Sequence, residues 1–367
     1  MTQKKVIIFI PSIEGFGVEK NLFYIVNFFS KRINNVTIIT SSKLYKKKFD
    51  KKIKFLSLNH NLFFFKGRIA KYFFCSLILF REIIKNPRSI IFSFQSNLIA
   101  ILIAKILGST VVIRLNTSIK IFEKRIFIKF LAKFFYSLAN RVIVNSLEFK
   151  SELKRKFNVR SVCIYNPLNK NEILIKSKIK CKSIFNIPKA IKIITVGRFV
   201  FQKNHFLLLR TIEKLVREKK IMVELVIVGE GFLKNKYIEF IKKNKLEKYI
   251  KILDYTKNPY NLIQQSDIFI LTSNFEGLPN VLLEAISLNK FVISSDCRTG
   301  PKEILLNGKG GLLFKTGDLQ DLVNKIIFYK QNKKTCRSLK KIAKKNLIKF
   351  DYTNNLKRYL FEIQKFY

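Results

Sequence analysis

Short, nearly unbroken apolar runs recur along the chain, and each ends at a polar corner. Val6-Ile-Ile-Phe-Ile10 is the first; others fall at 35–40, 89–94, 110–115, 141–145 and 162–167, then at 191–196, 223–228, 250–253, 268–272 and 291–294. Runs of this length without alternation predict strands buried on both faces, as in parallel sheets. Between them lie stretches with helical spacing. Leu22, Ile25, Val26 and Phe29 share one face of an expected helix over 18–31, and Leu207, Leu208, Ile212 and Leu215 do so over 204–219. Strand, turn, helix and strand in this order predict doubly wound α/β layers. The series stops at Asn166-Pro167, gives way to a Lys-rich segment at 169–188, and restarts at Ile191. We therefore expect one unit over 1–167, a second over 168–345, and a final helix within 346–367 returning to the first. Two such halves imply a cleft between them.

One corner carries acids. After the run 268–272 comes Asn-Phe-Glu-Gly-Leu-Pro-Asn-Val-Leu-Leu-Glu, residues 274–284. Gly277 and Pro279 end the strand, and a helix is expected from Asn280, with Pro279 where a missing N–H costs least. A helix N-terminus offers free backbone N–H groups to an anion. Alone, Glu276 and Glu284 fit solvated surface acids as well as a clamp on a sugar or ribose hydroxyl.

Composition narrows the function. The 367 residues carry a formal net charge of +47. Residues 1–167 hold 31 Lys and Arg against 7 Asp and Glu, while residues 191–311 hold 20 against 12, so the first half is the basic one. Such a surface attracts polyanions or an anionic membrane face, although Lys-rich composition alone gives the same excess. The lysine run at 43–54 reads as a solvated edge. The aromatic and basic residues of 61–85 and 122–138 fit either membrane-surface helices or core helices with a wet side. No stretch is long and apolar enough to span a membrane, and no signal peptide is evident, so a cytoplasmic location is expected. Five scattered cysteines without a C-x-x-C predict reduced thiols and no zinc site. His60 and His205 are the only histidines, which excludes a mechanism relying on several; His205 is expected to be structural.

Taken together, the chain resembles family-4 glycosyltransferases, which have the GT-B fold of two Rossmann-like domains. The likeness is strongest from Ile191 to Phe314. Gly197-Arg198 and Gln202-Lys203 match the family's loop after the first strand of the second domain, and Glu276 and Glu284 match its E-x7-E element. The resemblance implies that Arg198 and Lys203 neutralise a leaving nucleotide diphosphate without metal or cofactor. It places Glu276 at the donor sugar and Glu284 on the ribose, with the corner Leu278, Pro279 and Asn280 about the phosphates, its backbone N–H groups coming from the residues around the proline. Gly15 and Gly17 would line the donor from the first half, and Arg114 and Asn116 the acceptor side. The 295–305 loop is similar to that of members building cell-surface glycans. The implied reaction is retaining transfer of a hexose or N-acetylhexosamine from a UDP-linked donor to a polyprenyl-diphosphate-linked glycan, on the inner membrane face. Two departures stand out. Phe16-Gly17-Val18-Glu19 lacks one family glycine, and the fifth strand ends in Arg114-Leu-Asn116 where many relatives carry histidine.

Three other readings compete. A nucleic-acid binder fits the charge but no recognisable module. A nicotinamide oxidoreductase needs a G-x-G-x-x-G that follows no strand here. A non-catalytic glycan-assembly partner is compatible with the missing histidine.

Overall fold

The computed structural model describes residues 4–13, 17–58, 67–116 and 126–367. Gly15, His60, residues 63–66 and the start of the helix expected at 122 lie outside them. The chain divides into two compact units, Met1–Pro167 with Tyr352–Tyr367, and Leu168–Asp351.

The first unit runs β1 (Val6–Phe9), α1 (Gly17–Ser30), β2 (Val36–Thr40), β3 (Lys54–Ser57), α2 (Arg68–Lys85), β4 (Ile90–Ser93), α3 (Asn97–Ile106), β5 (Thr110–Leu115), α4 (Ile126–Leu138), β6 (Arg141–Val144), α5 (Leu147–Phe157) and β7 (Val162–Cys163). Its parallel strands lie in the order 3-2-1-4-5-6-7. β1 and β4 are buried on both faces, which is why their sequences show no alternation. β3 was not expected. Lys54-Phe-Leu-Ser57 is a half-exposed edge strand, and it lacks the continuous apolar run that marked the others.

The second unit runs α6 (Lys170–Ser177), β8 (Ile191–Val196), α7 (His205–Arg217), β9 (Val223–Val228), α8 (Lys234–Lys243), β10 (Ile250–Leu253), α9 (Tyr260–Ile263), β11 (Ile268–Leu271), α10 (Asn280–Ser287), β12 (Phe291–Ser295), α11 (Pro301–Ile304), β13 (Leu312–Phe314), α12 (Leu319–Gln331) and α13 (Lys333–Asn346). Its sheet is also parallel, in the order 10-9-8-11-12-13. Two segments differ from expectation. The Lys-rich stretch after Pro167 begins with a helix, α6, because Asn169 caps it by accepting from the Glu172 N–H and Ile173 is buried. The basic tail after Gln331 is likewise helical, with Cys336, Ala343 and Asn346 turned inward from α13.

α14 (Tyr352–Gln364) closes the chain and packs on α1 of the first unit, with Leu356, Tyr359, Leu360 and Ile363 in its core. Residues 346–351, grouped with this helix from sequence, instead belong to the second unit. There the Leu168 N–H donates to Phe350 C=O at 2.9 Å, and Asn346 Nδ2 donates to Ile304 C=O at 3.1 Å.

Candidate active site

Winding of the second sheet reverses between β8 and β11, which are hydrogen-bonded neighbours. Loops leaving such strands diverge to opposite faces and open a crevice at the carboxyl ends. The loops concerned are Gly197–Asn204 and Thr272–Pro279, and they are tied together. The Asn274 N–H donates to Gln202 C=O at 2.8 Å, Gln202 Nε2 to Phe275 C=O at 2.9 Å, Asn274 Nδ2 to Phe201 C=O at 2.9 Å, and Thr272 Oγ1 to Lys203 C=O at 2.8 Å. Asn204 takes a left-handed φ of 47°, which asparagine tolerates, and this turns the chain into α7.

This scaffold places Lys203 Nζ 2.6 Å from Glu276 Oε1, with the two side chains 14% and 8% exposed. Ser273 Oγ donates to the same oxygen at 2.6 Å, and Thr299 Oγ1 donates to the Glu276 carbonyl. A β-carbon at Gly197 would sit 3.4 Å from Lys203 Cε, so the lysine stem lies across that glycine. Arg198 follows Gly197 directly. Nearby groups are held neutral. Burial, with the Lys203 charge second, lowers His205 to about 3, so the ring packed against Phe199 and Tyr237 carries no charge at neutral pH. Burial, followed by the Glu276 carboxylate, pushes the Cys297 thiol up to about 12, so it supplies no thiolate.

Glu284 is buried on α10 rather than solvated, and it accepts from Tyr260 Oη at 3.2 Å. Burial, then the Glu284 charge, raises the tyrosine's pKa and keeps it a donor. Leu278 is buried, Pro279 stands at the N-cap without a side-chain cap bond, and Asn280 opens the helix. Gly300, at φ 92°, fixes this corner: a β-carbon there would meet Gly277 O at 2.2 Å and Pro279 Cδ at 2.7 Å. The structure thus brings Arg198, Lys203, Glu276, Leu278, Pro279, Asn280 and Glu284 onto two loops and one helix of the second unit.

The residues expected from the first unit fare differently. Gly17 is the first residue of α1, and Glu19 in that first turn is buried. Arg114, expected on the acceptor side, is 1% exposed. Its Nε donates to Tyr359 Oη at 2.9 Å, Nη2 to Asn166 Oδ1 at 2.6 Å, and Nη1 to Asn116 Oδ1. Its guanidinium is therefore spent on the fold, linking β5 to α14, and Asn116 is one of its acceptors. Sequence reasoning missed Ser273, Tyr260, Thr299 and Gly300. A serine ending a strand and a Thr-Gly-Pro corner were visible, but nothing near Tyr260 marked it as the partner of Glu284.

With this geometry in place, the fold belongs to the GT-B class, two Rossmann-like units of parallel sheet and helices. A solved Anabaena protein, HepE in complex with UDP, superimposes with a TM-score of 0.78 over 98% of this chain and 100% of that one, at 15% identity. Residues 178–346 match the family model for glycosyl transferases, group 1. An uncharacterized glycosyltransferase of Methanocaldococcus jannaschii is 34% identical over 257 residues, covering 64% of this chain and 63% of its own length. The Campylobacter jejuni N-acetylgalactosamine-N,N'-diacetylbacillosaminyl-diphospho-undecaprenol 4-alpha-N-acetylgalactosaminyltransferase is 29% identical over 228 residues, 61% and 60% of the two chains. The chain thus spans less than two thirds of the length of either relative.

Proposed function

We propose that the protein is a retaining glycosyltransferase of the family-4 type. It moves a hexose or N-acetylhexosamine from UDP to a polyprenyl-diphosphate-linked glycan in surface polysaccharide synthesis, at an anionic membrane face. The observation that carries this reading is the Lys203–Glu276 pair at the β8/β11 switch point, one short loop from Arg198. A UDP ligand in the Anabaena neighbour and the diphospho-undecaprenol acceptor named for the Campylobacter relative support the choice of donor and acceptor.

In this mechanism the diphosphate lies against Arg198 and Lys203 and the N-terminus of α10, whose cations and N–H groups stabilise charge as it leaves, without metal. Glu284, oriented by Tyr260, accepts from the ribose hydroxyls. Glu276 sits at the sugar and holds Lys203 in place. The acceptor hydroxyl attacks from the face the phosphate departs: the sugar C1–phosphate oxygen bond breaks, the C1–acceptor oxygen bond forms, and the hydroxyl proton passes to the departing phosphate oxygen.

A panel of nucleotide sugars read by melting shift, starting with UDP sugars, tests the donor. Arg198→Ala and Glu276→Ala are each expected to abolish transfer while the fold survives. Near-normal turnover in both would overturn the site.

A further inference from the structure

α2 packs against α3, and α3 against α4, on the first unit. All three turn apolar side chains outward. On α2, residues 69, 73, 77, 80 and 84 are large, apolar and exposed, and spacings of three and four put them on one strip. That strip is about 22 Å long at 1.5 Å per residue. Ile69 is 85% exposed and Phe73 58%; Ile106 on α3 is 67%, and Phe130 and Phe134 on α4 are 73% and 56%. A contiguous exposed patch on neighbouring helices marks an interaction site, unlike scattered single residues.

We propose that the α2–α3–α4 face is the seat of this protein on an anionic lipid surface, its apolar strip entering the headgroup region. The inference rests on the proposed membrane-linked acceptor and adds which face meets the lipid and how. Charge selects the occupant. Exposed Arg81, Lys85, Lys105, Lys129 and Lys133 accompany the strip. The single acid on the three helices, Glu82, is buried and paired with Lys5. Among the described residues the face is therefore apolar and cationic with no exposed acid, the composition of an interfacial membrane helix. A second copy docking on the same face would set cations against cations. None of the described helices is long and apolar enough to cross a membrane, so the face lies on the surface. The lysines around 46–48 have no buried residue among them and no comparable apolar strip, and they add only screened attraction.

The chain contains no tryptophan, so one introduced indole reports without background. Phe73→Trp, Phe130→Trp and, as a control, Phe361→Trp on α14 are mixed with vesicles of phosphatidylcholine alone or with phosphatidylglycerol. With phosphatidylglycerol present, the first two are expected to shift to the blue and be quenched by brominated acyl chains, while Phe361→Trp is not. The double variant Phe73→Ser/Phe130→Ser should partition about tenfold more weakly, as expected for lost apolar burial, with unchanged circular dichroism. Binding without a blue shift, or undiminished in the double variant, overturns the proposal in favour of charge alone. Self-association without lipid that this variant abolishes assigns the face to a second copy and overturns it as well. UDP titration of the same variants separates the two readings: failure of wild type to bind UDP refutes the transferase while leaving the vesicle result standing.

Discussion

Lys203 and Glu276 neutralise each other at 2.6 Å before any donor arrives, and this predicts that two neighbouring substitutions act in opposite directions on UDP affinity. A phosphate oxygen within hydrogen-bond reach of Lys203, about 2.8 Å, lies about 5–6 Å from the Glu276 carboxylate. At an effective dielectric near 40, between bulk water and the value of a protein surface, the repulsion across that gap is about 1.4 kcal/mol per phosphate charge. The attraction to Lys203 is about 3 kcal/mol by the same arithmetic. Glu276→Gln keeps the shape and can still accept from Ser273. It should bind UDP about tenfold more tightly than wild type, yet transfer sugar at least about a hundredfold more slowly, because an interaction at the reacting sugar is lost. Lys203→Met should weaken UDP about a hundredfold and lose transfer too. Isothermal titration with UDP, beside transfer rates at saturating donor, reads both quantities. If Glu276→Gln weakens UDP as much as Lys203→Met does, the carboxylate touches the nucleotide itself, and its assignment to the sugar side is refuted.

Three further outcomes follow from single contacts. Gly300→Ala places a methyl 2.2 Å from Gly277 O at a φ of 92°; it should cost about 2–3 kcal/mol, lowering the melting temperature and erasing the UDP-induced shift. Glu224 is a pH sensor of the fold: burial raises its pKa, but Lys251 at 2.8 Å and the Asn186 and Ile187 N–H groups outweigh burial and hold it below 4.5. A depressed carboxylate stabilises above its unfolded value and loses that contribution as pH falls through the folded one. Wild type should therefore lose urea resistance on acidification below about pH 4.5, and Glu224→Gln should show a flatter profile. Arg114→Lys should lower thermal stability by about 3 kcal/mol or more with UDP affinity unchanged, measured by melting and titration; a stable variant defective only in acceptor use would return Arg114 to the acceptor.

Elements whose core contacts are continuous along the chain were legible beforehand. β8, β9 and β10 begin and end where their apolar runs do, and α7, at His205–Arg217, falls within the expected 204–219. The edge strand β3 and helix α6 were not, because each buries only part of its length among lysines: Phe55 and Leu56 are half-buried, and Ile173 is the buried residue of α6. At the site, charged residues next to glycine and proline corners announced themselves. Support drawn from elsewhere in the chain did not, since no local pattern connects Tyr260 to Glu284. Arg114 shows the converse error. A charge at a strand end reads as functional, yet its partners Asn166 and Tyr359 lie 52 and 245 residues away and bury it.

That long reach has a consequence for how the protein is made. Residues 1–167 leave the ribosome before the second unit, but Leu356, Tyr359 and Ile363 of their core, and the hydroxyl that meets Arg114, are translated after it. The second unit is contiguous and can close while the first waits with part of its apolar surface uncovered and Arg114 Nε without its Tyr359 acceptor. The usual order of folding during synthesis, N-terminal unit first, is thus inverted. A stop codon before Tyr352 would leave the second unit whole and deprive the first of the piece that completes it.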